Sequence, residues 1–175
     1  YSLSYIFGIL FGWFYCKRFL IKDKIVSTLF DDLLTYLIIG IIIGGRLGYI
    51  LFYNLKYYLD NLVEIFFIWE GGMSFHGGLI GIFVATYIFS KKNEINKYIY
   101  LDLISISAPI GIFFGRIANF INGELIGKAT NANWGVIFSK TDNIPRHPSQ
   151  LYECILEGII LFILMNLIFF RKKYK

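Results

Sequence analysis

Residues Tyr98–Ile121 read YIYLDLISISAPIGIFFGRIANFI, and residues 122–128 continue NGELIGK. The first stretch is apolar over the ~20 residues that a bilayer-crossing helix needs. Arg116 sits about a turn and a half from its end. An arginine near the centre of such a helix costs at least ~2.5 kcal/mol on insertion scales, so it faces a partner, a polar cavity or an anionic ligand. Arg116, Asn119 and Asn122 are spaced i, i+3, i+6 and share one helical face. The stretch therefore predicts a membrane span with a polar face at one end.

Working outward, the composition excludes an ordinary soluble domain. Hydrophobic residues make up 57% of the 175-residue chain, aromatics 19% and charged residues only 17%, against 45–50% apolar in soluble proteins even with glycine counted. The net charge of +5 does not point to nucleic acid. The basic residues lie in short stretches between apolar runs, where they orient helices and meet anionic lipid heads. No Gly-rich phosphate loop, CxxC pair or zinc-spaced His/Cys cluster occurs in the sequence. The opening segment YSLSYIFGILFGWFY lacks a basic n-region and a small-residue cleavage site, so it does not read as a signal peptide. A first residue other than Met, and an end at Lys175 directly after a helix, predict a fragment truncated at both ends.

Five spans follow from the apolar runs: about Tyr1–Tyr15, Leu33–Tyr53, Ser74–Ser90, Tyr98–Ile121 and Leu151–Phe170. The expected architecture is a single all-α domain over residues 1–175, a polytopic bundle. The segment YYLDNLVEIFFIWEGG, between the second and third spans, reads as a helix lying in the interface. Eleven basic residues follow spans one, three and five, against four on the alternate connections. The positive-inside rule then puts the start outside and the end in the cytoplasm. Residues 123–150 become an extracytoplasmic loop, with turn signals and a short strand expected at Trp134–Phe138. Cys16 and Cys154 fall near opposite faces on this topology, and no disulfide is expected.

Three polar groups of residues collect at the outer side. They are the Arg116–Glu124 block, GGMSFHGGLIG with His76, and RHPSQLYE with Arg146, His147, Tyr152 and Glu153. Arg46 lies in GGRLGYILFYN, among small residues that permit close helix packing. Bland readings stand beside each. Arg46 pairs with an acid or caps a helix; His76 is a helix-start residue bonded to backbone; Glu153 and Glu157 balance nearby arginines. In RHPSQ, Pro148 suits the first helical position, with His147 near the cap. Together the groups describe a lipid-facing anion site. A guanidinium fork suits a phosphodiester, asparagines suit glycerol or ester oxygens, and a histidine accepts a proton near neutral pH.

The blocks GRIANFINGELIG, GGRLGYILFYN, WEGGMSFHGGLIG and RHPSQLYE closely resemble, in order and spacing, those of the prolipoprotein diacylglyceryl transferases. The resemblance covers nearly the whole chain. It implies a bacterial inner-membrane enzyme with seven spans, of which about five are present, and no metal or cofactor. The implied reaction moves the diacylglyceryl group of phosphatidylglycerol onto the lipobox cysteine thiol of a prolipoprotein signal peptide, releasing glycerol 1-phosphate. The family's phosphatidylglycerol-binding arginine falls on Arg116 and its functional histidine on His76. Its signature residues fall on Asn119, Asn122, Glu124 and Gly127, and a first-span tyrosine falls on Tyr1. Arg46 joins the expected substrate-binding set. Family members continue with two further spans carrying a second arginine, a tyrosine and a glutamate, so the 175-residue stretch alone is expected to be inactive.

The expected chemistry is displacement at the glyceryl C3 carbon by the substrate's thiolate, with His76 as base and Arg116 neutralising the departing phosphate. Two other classes compete. A small transporter or lipid-binding membrane protein with Arg116 as anchor predicts polar residues spread through the membrane and repeated halves. A metal-dependent phosphatidyl transferase predicts an acidic cluster for magnesium.

Overall fold

The computed structural model describes residues 2–173. The chain forms two compact units, Lys22–Asp102 and a second made of Tyr1–Ile21 with Leu103–Lys175.

In the first unit, helix α2 runs Lys24–Tyr53. (Helix α1, Ser2–Tyr15, belongs to the other unit.) The expected start at Leu33 is too late by more than two turns. Asp31 and Asp32 interrupt the apolar run, but no glycine or proline interrupts the helix between Lys24 and Leu33. Its true stop signal is Asp23, whose Oδ1 accepts from the amides of Ile25 and Val26 at 2.7 and 3.0 Å, closing the N-terminus. At 30 residues the helix is about 45 Å long, so its first turns extend past the ~30 Å hydrocarbon slab.

The expected interfacial helix is broken into three pieces: α3 at Leu55–Asp60, then 3₁₀ turns at Leu62–Phe66 and Ile68–Glu70. Helix α4, Phe75–Lys92, begins at Ser74, whose Oγ accepts from the Gly77 amide at 3.3 Å. Helices α2 and α4 meet backbone to backbone. A β-carbon at Gly40 would lie 2.6 Å from the Gly81 carbonyl oxygen, and one at Gly48 2.7 Å from Gly77 Cα. One at Gly77 or Gly81 would overlap the carbonyl oxygen of Gly44 or Gly40. Gly40, Gly44 and Gly48 thus face Gly77, Gly81 and Ala85 at spacings of four, the small-residue stripe by which helices associate in lipid. Phe30, Leu33, Phe89 and Tyr100 complete this unit's core; the ring of Tyr100 lies 5.7 Å from that of Phe89, edge-on.

In the second unit, α1 continues as a π turn, Cys16–Leu20. Helix α5, Lys97–Asn122, carries Pro109 within it and enters this unit at Leu103. It stops at Gly123, whose φ of +70° few other residues adopt. The Gly123 amide donates to the Phe120 carbonyl at 3.1 Å and the Glu124 amide to the Asn119 carbonyl at 2.9 Å, a Schellman ending. Strands β1 (Val136–Ile137) and β2 (Pro145–Arg146) pair antiparallel, Val136 opposite Arg146. The expected strand is present but shorter. Helix α6, Ser149–Glu153, runs through a π segment, Cys154–Ile160, into α7, Leu161–Lys173. Pro148 takes the cap rather than the first helical position. Tyr15 Oη bonds Asn166 Oδ1, tying α1 to α7. Both cysteines are free thiols.

All five expected spans are helical over their described residues. Three, Lys24–Tyr53, Lys97–Asn122 and Ser149–Arg171, are long and apolar enough to cross a membrane. Helices α1 and α4 are shorter, at 14 and 18 residues. Leu3, Ile39, Phe52, Val84 and Leu164 are each about half exposed or more, a pattern that suits lipid as the surrounding solvent. The architecture is that of a polytopic helical membrane protein.

Candidate functional site

Arg116 lies on the last two turns of α5, its side chain 26% exposed. Its Nη2 meets Glu153 Oε2 at 2.8 Å and Glu157 Oε2 at 3.1 Å. Glu153 closes α6 and Glu157 lies in the π segment that follows. A π turn widens the helix and is frequent at functional sites. Both carboxylates approach the same nitrogen, so Nη1 and Nε keep their N–H groups without a partner among the described residues. The arginine is oriented by two acids and keeps donors on two of its three nitrogens.

The end of α5 is stitched to the start of α6. Gln150, fully buried, donates from Nε2 to the Glu124 carbonyl at 2.6 Å. Ser149 Oγ donates to the Leu125 carbonyl at 2.9 Å. The Gly127 amide donates to the His147 carbonyl at 3.2 Å, and the His147 amide to the Lys128 carbonyl at 3.0 Å. A β-carbon at Gly127 would overlap that His147 carbonyl, which is why the position takes glycine. Arg146 donates from Nη1 to the Gly127 carbonyl at 3.1 Å and pairs through Nε and Nη2 with Asp142, the closest contact 2.6 Å. That guanidinium holds the Asp142 carboxyl below its usual range. The GRIANFINGELIGK and RHPSQLYE blocks are thus one structure.

An aromatic relay flanks it. Trp134 Nε1 donates to Tyr152 Oη at 2.8 Å, and Tyr152 Oη lies 3.1 Å from His147 Nδ1. An indole N–H only donates, so Tyr152 Oη accepts from Trp134.

The expected residues divide between the units. Arg116, Asn119, Asn122, Glu124 and Gly127 all lie in the second unit; Arg116, Asn119 and Asn122 share the half-buried face of α5. Gly127 is a close-approach glycine and Glu124 contributes its carbonyl to Gln150. His76 and Arg46 belong to the first unit. His76 is exposed on the first turn of α4, its ring 5.7 Å from that of Phe75, and forms no hydrogen bond with described residues. Arg46 is 4% exposed. Its fork meets four backbone carbonyls, those of Glu64, Ile65, Gly71 and Gly72. Tyr1 lies outside the described residues. Glu153 and Glu157 balance an arginine as the sequence reading offered, and that arginine is Arg116; Ser149 and Gln150 were quoted without this place. The signal available was the Gln and Ser at a helix start, which reach chain well outside their own helix. Among the described residues no group of three or more His, Cys, Asp or Glu side chains is placed to hold a metal.

The fold and the charged cluster define a class, multi-pass helical membrane proteins with a charge-paired arginine near the end of a span. The family model described as prolipoprotein diacylglyceryl transferase matches residues 1–175, and the chain belongs to the prolipoprotein diacylglyceryl transferase family. Among its relatives, the phosphatidylglycerol–prolipoprotein diacylglyceryl transferase of Rickettsia felis is 50% identical, over 99% of this chain and 68% of its own length. The protein of the same name from Rickettsia bellii is 53% identical, over 98% of this chain and 66% of its own. The chain thus spans about two thirds of the length of these relatives.

Proposed function

We propose that the protein transfers the diacylglyceryl group of phosphatidylglycerol to the lipobox cysteine thiol of bacterial prolipoproteins, the first step of lipoprotein maturation. The reaction takes place in the bacterial inner membrane, on the extracytoplasmic leaflet. The relatives' shared name and family support the reaction. The observation that carries the site is Arg116, turned by Glu153 and Glu157 so that Nη1 and Nε remain open. These nitrogens keep N–H groups that can each donate to an oxygen of a phosphodiester.

The chemistry balances without any further reagent. The substrate thiol gives its proton to His76, since a free thiol near pKa 8.5 is mostly protonated at neutral pH. The thiolate sulfur attacks the glyceryl C3 carbon, an S–C bond forms and the C3–O bond breaks. The bonding pair leaves on the phosphate oxygen as glycerol 1-phosphate. Arg116 neutralises charge on that oxygen as it grows, which is transition-state stabilisation. Asn119, Asn122 and Glu124 hold the head group and the arginine. Cys16 and Cys154, both buried, take no part.

The test uses the full-length protein in membranes, with Arg116→Ala and His76→Ala scored for lipid binding and for thioether formation on a lipobox peptide. Arg116→Ala should lower transfer by about 10²–10³-fold, the usual effect of removing one such electrostatic donor, and weaken phosphatidylglycerol binding. His76→Ala should lower transfer and leave lipid binding in place. Normal transfer in both variants would leave the mechanism without its groups.

A further inference from the structure

His76 is exposed and forms no hydrogen bond with described residues, so its place is set by the backbone that carries it, and one buried side chain governs that backbone. Arg46 donates from Nε to the Ile65 carbonyl at 2.9 Å and from Nη2 to the Glu64 carbonyl at 2.6 Å. Its Nη1 donates to the carbonyls of Gly71 and Gly72 at 2.6 and 3.3 Å. The guanidinium carbon lies 5.0 Å from the centroid of the Tyr58 ring. The fork therefore gathers both ends of residues 64–72, the stretch that leads into α4. Gly71 and Gly72 have φ of +89° and +76°, a region that leaves the chain direction to be set by bonds rather than by side-chain sterics. Just beyond, the Ser74 amide donates to the carbonyl of Gly45, the neighbour of Arg46, at 2.9 Å. Ser74 then caps the turn that bears His76.

The residue type matters. A buried cation is tolerated only when its donors are satisfied, and here backbone carbonyls, not carboxylates, satisfy it. A planar fork reaches several separated carbonyls at once; the point charge of a lysine does not. The nearest acid in sequence to those carbonyls, Glu64, accepts from Tyr57 Oη at 2.6 Å instead.

We propose that Arg46 is a positioning residue, acting on the transfer reaction through residues 64–74 to hold His76 at the start of α4, and not by touching lipid. The inference rests on the reading of His76 as base. It adds a device for aiming that group, built from a side chain thirty positions earlier.

The chain holds two histidines, and His147 lies in the other unit, so it serves as an internal reference. The full-length protein, labelled at histidine and placed in phosphatidylglycerol-containing nanodiscs, is compared with Arg46→Lys, Arg46→Ala and His76→Ala, the last assigning the spectrum. Both Arg46 variants should displace the His76 ring resonances and leave those of His147 in place. The kcat for thioether transfer should fall at least about tenfold, as misplacement of a reacting group does, with KM for phosphatidylglycerol within about twofold. Unmoved His76 resonances would overturn the proposal. So would a raised KM at constant kcat, which marks a lipid contact, or displacement of both histidines in both variants, which marks general disorder. Full transfer by His76→Ala would defeat the reading of His76 as base, while the resonance shifts would still report on Arg46 alone.

Discussion

Arg116 is neither a buried structural ion nor a free surface charge. Two carboxylates meet its Nη2 at 2.8 and 3.1 Å, so the triad carries a net charge of about −1 before any lipid arrives. A phosphodiester adds another negative charge beside Glu157, the more exposed of the two acids at 47%. Like charges at this range oppose one another, though solvent weakens the effect at such exposure. Glu157→Gln should therefore tighten phosphatidylglycerol binding by up to about fivefold, measured by lipid titration of the full-length protein. Weaker binding would mean that Glu157's aiming of the guanidinium outweighs its competition with the ligand. The arginine itself was legible, because a charge inside an apolar run demands an explanation. Its partners were legible only as acids that balance some arginine, since Glu157 lies 41 residues away and nothing local links it to α5. Arg46 read as a lipid contact for a related reason: four carbonyl acceptors leave no mark in a sequence.

Among the elements, the pairing of α2 with α4 is the most sharply specified. Gly81 faces the Gly40 carbonyl so closely that a β-carbon would overlap it, whereas nothing lies within 4 Å of a β-carbon at Gly111 on α5. Gly81→Ala should destabilise the protein by about 1–3 kcal/mol or more, as overpacking does. Gly111→Ala should be neutral or slightly stabilising, because alanine is the better helix former. Thermal unfolding of the two variants in detergent checks this, and equal effects would deny the glycine stripe its packing role. The spans were legible because long apolar runs have few alternatives in lipid. The first turns of α2 were missed because Asp31 and Asp32 look like a boundary, although carboxylates do not end a helix that has passed beyond the bilayer. The interfacial segment was placed but read as one helix; Asn61, at φ −133°, ends the first piece. The π segment was invisible, since CILEGII carries no residue that demands a wide turn.

At the scale of the molecule, the two units divide the labour proposed for the reaction. One carries the arginine with its two acids and the stitched loop; the other carries the histidine at a glycine-rich helix start. Four sequence blocks identified the family, and the structure gives each a local reason: close packing, a helix stop, a backbone bridge, a charge partner. The central claim is that Arg116 holds the phosphodiester of phosphatidylglycerol. It is tested most directly by phosphorus-31 NMR of that lipid titrated into the full-length protein, its Arg116→Ala variant and its His76→Ala variant. A saturable change in the phosphorus resonance is expected for the parent and for His76→Ala, and its loss for Arg116→Ala. The same saturable change in Arg116→Ala would contradict the account.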